Sequence, residues 1–154
     1  MNMRRLTVVL STTALTSAVL LAASGSAVAA NRVTWKNAAT GRYLSMDTGI
    51  TGTGTKVVTD ERNAGGWVES KNSDGSFTIK YDGFSTGDKC LDSNARGSVY
   101  GISCNGGNNQ KWFETKTSTG WRLKNKATGR ILDSNASGSV YTKPDNGGKY
   151  QRWL

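Results

Sequence analysis

The chain has 154 residues, 20 of them basic and 11 acidic, with two cysteines, one proline, 19 glycines and no histidine. Without histidine it lacks the commonest general base and the commonest zinc ligand, and two thiols alone do not complete a tetrahedral metal site. The net charge of +9 is dispersed, with no basic run beyond Arg4-Arg5, which reads as a solvated surface and not as a nucleic-acid groove.

Residues 1–30 read as a secretory signal peptide. Arg4 and Arg5 precede the mostly apolar stretch Leu6–Ala23, and Ala27-Val28-Ala29-Ala30 offers cleavage after Ala29 or Ala30. Interspersed Ser and Thr set this stretch apart from the roughly 20 apolar residues of a membrane span. Cleavage would remove two of the 20 basic residues and none of the acidic ones, leaving 18 against 11 and a net charge of +7. Residues 31–154 then suffice for one domain with a modest core. In an exported chain the even pair Cys90 and Cys104 reads as one disulfide, stabilising the fold by about 3 kcal/mol in the chain-entropy view.

Along this domain, short runs of period-2 character alternate with turn signals. Val33–Leu44 opens with a strand and a turn. Gly52-Thr-Gly54 is glycine-rich but lacks the strand-to-helix setting of a phosphate loop. Asn72–Gly75, Thr117–Gly120 and Asn146–Gly148 are turns, and Phe77–Tyr81 and Trp121–Asn125 are strands. Asn135-Ala-Ser137 matches a glycosylation acceptor. No stretch of this region carries a helical stripe, so the fold class is all-β.

The strongest signal is a repeat. Leu91–Trp112 and Leu132–Trp153 align without a gap, with 14 of 22 positions identical. A period near 40 residues marks a chain built from one supersecondary unit. A weaker first copy brings the number to three, with units at about 31–76, 77–120 and 121–154. Each ends on a tryptophan, Trp67, Trp112 or Trp153; the last two close as Gln110-Lys-Trp112 and Gln151-Arg-Trp153, whereas the first has Gly65-Gly-Trp67.

Three units of this length ending in Gln-x-Trp resemble the ricin-type β-trefoil lectins. The motifs Thr-Gly-Arg-x-Leu-Asp-Ser-Asn, Gly-x-Val-Tyr and Asn-Gly-Gly are similar in particular to the actinohivin type, small secreted mannose-binding lectins. The resemblance covers the whole mature chain and is strong in the second and third units. It implies three units packed around a pseudo-threefold axis, with the tryptophans as shared core. Gln110 and Gln151 are expected to satisfy buried turn backbone and to stand outside the binding site.

A sugar pocket needs a carboxylate to accept from hydroxyls, an amide to donate and accept, and a ring for the C–H face. In the third unit the resemblance places these roles on Asp133, Asn146 and Tyr141, with Tyr150 ordering the pocket and Lys143 at a position that is apolar in the family. In the second unit they fall on Asp92, Asn105 and Tyr100, with Ile102 at the apolar position. There Asn109 replaces the second tyrosine, which is expected to leave one wall less ordered, and a disulfide beside Asn105 is expected to stiffen the pocket. The first unit has Ser45 for the aspartate and Val58 for the tyrosine and retains Asn63, so two working sites are expected and not three. Each residue also has a plain structural reading: the aspartates as turn formers, Asn-Gly-Gly as a tight turn, the tyrosines as core rings.

The expected function is a secreted lectin without cofactor or metal, monomeric, binding terminal α-mannose of branched glycans. A lectin for another neutral sugar such as galactose, or a protein-binding or toxin-like trefoil, remains open. A glycoside hydrolase is disfavoured, because its two carboxylates flank one bond while Asp92 and Asp133 belong to separate units.

Overall fold

The computed structural model describes residues 31–47, 55–82 and 88–154; the signal segment and Gly52–Gly54 lie outside them. The first unit supplies β1 (Asn31–Val33), β2 (Tyr43–Asp47), β3 (Lys56–Asp60) and β4 (Trp67–Lys71). The second supplies β5 (Phe77–Tyr81), β6 (Lys89–Ser93), β7 (Val99–Ser103) and β8 (Lys111–Thr117). The third supplies β9 (Gly120–Asn125), β10 (Ile131–Ser134) and β11 (Val140–Lys143). Strands β1, β4, β5, β8 and β9 pair antiparallel in that order. The C-terminal segment closes the ring: Trp153 exchanges both backbone bonds with Trp121 (2.9 and 2.6 Å), and Leu154 exchanges both with Lys36 (2.7 and 3.0 Å).

The hairpins β2–β3, β6–β7 and β10–β11 cap this barrel and dock on one another in rotation. The amides of Thr59, Gly101 and Thr142 donate to Gly138, Thr55 and Gly97, each at 2.8 Å. Gly97 is required there: its φ is +89° and a Cβ would stand 2.6 Å from the Thr142 carbonyl oxygen. This is the trefoil arrangement implied by the family resemblance.

The core follows from strand alternation. Leu44, Leu91 and Leu132 point inward and are fully buried, as are Trp67, Trp112 and Trp153. A buried indole N–H needs an acceptor, and each one finds the carbonyl of its own unit's leucine: Leu44 (2.8 Å), Leu91 (2.9 Å) and Leu132 (3.1 Å). The glutamines satisfy turn backbone as expected. Gln110 accepts from the Asn105 amide and donates to the Ser103 carbonyl, and Gln151 accepts from Asn146 and donates to Pro144.

Two of the three unit junctions share an asparagine clamp. Asn125 Nδ2 donates to the Asn109 carbonyl (2.7 Å) and Asn37 Nδ2 to the Tyr150 carbonyl (2.8 Å). At the remaining junction Tyr81 holds the corresponding position and packs edge-on against Trp67, ring centroids 5.0 Å apart. Gly65 there replaces the glutamine with φ +62°, and a Cβ would lie 2.6 Å from Trp67 Nε1 and 2.7 Å from the Leu44 carbonyl. Restoring the sequence motif with Gly65→Gln should therefore destabilise the protein, by about 2 kcal/mol or more from backbone strain and loss of the indole bond. Urea unfolding would reveal this; an unchanged or raised midpoint would refute the clash.

The alternation also carries two carboxyls inward. Glu69 accepts from Trp35 Nε1 (3.0 Å), and Glu114 places its Oε1 in the interior with no other hydrogen-bond partner. Burial, then the Glu69 charge and the hydrogen bond donated to it, push the Glu114 carboxyl up to about 8. Burial also raises Glu69, against the bonds from Glu114 and Trp35. A carboxyl raised in the folded state binds more protons there than in the unfolded chain. Its contribution to stability is complete below the unfolded value of 4.5 and is lost as pH rises through about 8. Thermal midpoints should fall between pH 5 and pH 9, roughly that window, and Glu114→Gln should flatten the slope. Equal slopes in both proteins would contradict the shared proton.

Candidate functional site

The three cap hairpins present equivalent outer faces. Cross-strand register pairs Ser45 with Val58, Asp92 with Tyr100 and Asp133 with Tyr141. Paired residues in an antiparallel ladder share a face, so the aspartate and tyrosine expected in each pocket stand side by side. Two residues along the ladder, and so on the same face, the register brings Asp60, Ile102 and Lys143 to one equivalent position. The three units thus carry a negative, an apolar and a positive side chain at the same point. Asp60 follows Val58 by two residues, as Ile102 follows Tyr100 and Lys143 follows Tyr141, yet sequence reasoning did not single it out.

In the third unit Asp133 is buried except for 3 % of its surface. Gln151 Nε2 donates to its Oδ2 at 3.0 Å. Burial raises the Asp133 carboxyl, opposed by that hydrogen bond, by the Lys143 charge and by the Ser134 backbone N–H. Tyr141 donates its hydroxyl to the Ser134 carbonyl (3.1 Å) and stays half-buried, not in the core. Its hydroxyl is raised by burial, then by Asp133 and by Tyr150, an exposed residue in the short helical turn Lys149–Gln151 that packs against β10. The Lys143 ammonium stands over the Tyr141 ring, 5.1 Å from its centroid. The structure therefore brings Asp133, Tyr141, Lys143 and Tyr150 together and adds Gln151, which sequence reasoning confined to the scaffold. Gln151 is a positioning residue as well, linking the Asn146 turn to the carboxylate.

The second unit differs. Gln110 makes only its turn bonds, and the Tyr100 hydroxyl engages Asp92 instead. Burial, the Asp92 charge and the hydrogen bond to Asp92 raise that hydroxyl, while Asn94 acts in the opposite sense. Asn109 Nδ2 donates to the Ser93 carbonyl at 2.6 Å, which links this wall to β6. The Cys90–Cys104 disulfide is present, with Cα atoms 5.0 Å apart, and joins β6 to the loop that leads into Asn105.

The asparagines have a turn duty in all three units. Asn105 and Asn146 accept from Gly107 and Gly148 at 2.8 Å, and Asn63 accepts from Gly65 at 3.0 Å. Retention of Asn63 is thus explained by the turn alone. The face of the first unit still forms a depression of 350 Å³ lined by Ser45, Val58, Asp60 and Asn63, among others, and the Ser45 hydroxyl is buried without a hydrogen bond. A second depression, of 380 Å³, lies where the three hairpins meet, lined by Val57, Val99 and Val140 with Lys56 and Arg96 alongside.

A family model for the ricin-type β-trefoil lectin domain matches residues 31–153. The chain belongs to this family. Its matched domain is a carbohydrate-binding module and not a catalytic one. Among solved structures it is similar to the designed threefold-symmetric protein ThreeFoil, at 28% identity and TM-score 0.67, covering 79% of this chain and 95% of that one. It is also similar to an exo-β-1,3-galactanase from Clostridium thermocellum, at 20% identity and TM-score 0.65, covering 79% of this chain and 29% of that one. A third similar structure is a GlcNAcα1-4Gal-releasing endo-β-galactosidase from Clostridium perfringens, at 18% identity and TM-score 0.66, covering 82% and 32%. The lectin domain spans about a third of those two enzymes, whose likeness shows the fold alone. A search of curated proteins finds no match. No helix among the described residues is long and apolar enough to cross a membrane.

The contrast between the glutamines is testable. Gln110→Ala and Gln151→Ala should each cost about 1–3 kcal/mol by orphaning buried turn backbone. Only Gln151→Ala should also raise the Asp133 carboxyl further, because the lost hydrogen bond favours the ionised form. Carboxyl-carbon NMR titration reads this directly; an unmoved Asp133 would remove Gln151 from the site.

Proposed function

We propose that the protein is a secreted, non-catalytic lectin that binds terminal α-mannose of branched glycans through the pockets of the second and third units. The observation that carries this reading is the aspartate–tyrosine pair at one register in two units, Asp92 with Tyr100 and Asp133 with Tyr141. In the first unit the same positions hold Ser45 and Val58 while the strands pair normally. The pair is therefore not needed to build the hairpin, and its repetition fits a ligand. Each site has a carboxylate to accept from vicinal hydroxyls, a ring for the C–H face, and an asparagine whose Nδ2 has no hydrogen bond among the described residues.

The preference for mannose rests on the sequence resemblance to the actinohivin type, and secretion on the signal segment and the disulfide. Shallow single-sugar pockets bind weakly, so engagement of several branches together, worth about 10²–10⁴ in avidity, would supply useful affinity. Against a hydrolytic role, Asp92 and Asp133 belong to the hairpins of two different units and do not flank one bond.

A glycan array carrying mannose- and galactose-terminated branches, competed with free mannose, tests the reading. Binding to the mannose glycans should vanish in the Asp92→Ala/Asp133→Ala double variant. Undiminished binding by that variant would reject these pockets. Binding confined to galactose termini would keep the lectin and replace the sugar, and a blank array from folded protein would point to a protein partner.

A further inference from the structure

The two pockets share an aspartate, a tyrosine and an asparagine, but their surroundings differ in charge. From Ile102 to Asn109 the second unit has no charged residue, whereas Lys143 to Tyr150 of the third includes Lys143, Asp145 and Lys149. Asp145 is already paired with Arg122 at 2.6 Å, and Lys143 forms no salt bridge among the described residues. The Lys143 ammonium instead stands over the Tyr141 ring, where a neutral pyranose would lay its C–H groups, while Ile102 offers an apolar wall at the same place beside Tyr100. A neutral sugar on Tyr141 must displace or desolvate that cation. A sugar bearing a carboxylate gains an ion pair with it.

Building on the lectin reading above, we propose that the pockets are not equivalent: the second unit prefers the neutral hexose, and the third, which also accepts it, prefers the corresponding uronic acid, whose carboxylate pairs with Lys143 while its ring rests on Tyr141. Asp133 opposes an incoming anion, but Gln151 Nε2 donates to its Oδ2 and the positive charge of Lys143 acts on the same carboxylate, which offsets that opposition. The surplus of basic residues over the whole chain assists the encounter with an acidic polymer. One chain would thus recognise a mixed glycan, neutral at one branch and acidic at another, and prefer it to a uniform one.

The test compares methyl α-D-mannopyranoside with methyl α-D-mannopyranosiduronate, which differ only at C6, by amide NMR titration of the full mature protein. Third-unit amides should respond to the uronate at a concentration about two- to fivefold lower than to the neutral sugar, the range an exposed ion pair supports. This preference should shrink with added salt, persist in Lys143→Arg and disappear in Lys143→Ile, which copies the second unit. Second-unit amides should favour the neutral sugar throughout. The proposal is overturned if both pockets rank the two sugars alike, or if the third-unit preference survives Lys143→Ile with the spectrum intact. Neutral binding at the second unit with a third unit silent to both sugars overturns it while leaving the lectin reading standing. Silence of both pockets towards both sugars overturns the two together.

Discussion

The indole N–H of the closing tryptophan governs both the core and the surface of each unit. Buried in an apolar interior, that donor cannot remain unpaired without cost, and in every unit it is met by a leucine carbonyl in the first strand of the cap hairpin. The bond fixes where that strand lies. Because side chains alternate along a strand, the residue after the leucine must then face outward. That residue is Ser45, Asp92 or Asp133. The carboxylates of the proposed ligand sites are thus placed by a hydrogen bond on the far side of the sheet, and their tyrosine partners by the register that follows from it.

This dependence explains what could be read before the structure was known. The tryptophans, the glutamines and the repeat were legible because a scaffold role recurs in each unit and leaves a periodic trace. The disulfide was legible from cysteine number and compartment. Gln151 as an orienting group was not, since Gln110 has the same sequence context yet bonds only turn backbone. Nor was Asp60 singled out as the counterpart of Ile102 and Lys143, because an acidic, an apolar and a basic side chain share no chemistry, and only the strand register shows that they stand at one point. The Glu69–Glu114 pair escaped for a different reason. A glutamate at an inward strand position looks like a surface residue until the barrel closes around it.

Scaffold duty and ligand duty are unequally distributed over the expected site. Asn63, Asn105 and Asn146 perform one turn task, so their presence says little about sugar. The aspartate–tyrosine pairs perform no task that the first unit misses, since its hairpin forms without them. The position of Asp60, Ile102 and Lys143 is freer still, tolerating either charge or none. Constraint falls off from the core outward, and chemical individuality between units rises in the same direction.

The junction at Gly65 has a consequence for how such a molecule changes over generations. Shortening the path to Trp67, adopting a left-handed glycine and setting the Tyr81 ring on the indole form one interlocked solution. Undoing any part alone leaves the other two in the way, so a return to threefold symmetry would require simultaneous changes at sites distant in sequence. The first unit is thereby locked against the glutamine motif of the other two by its own packing, while its outer face, which takes no part in that packing, stays open to new chemistry.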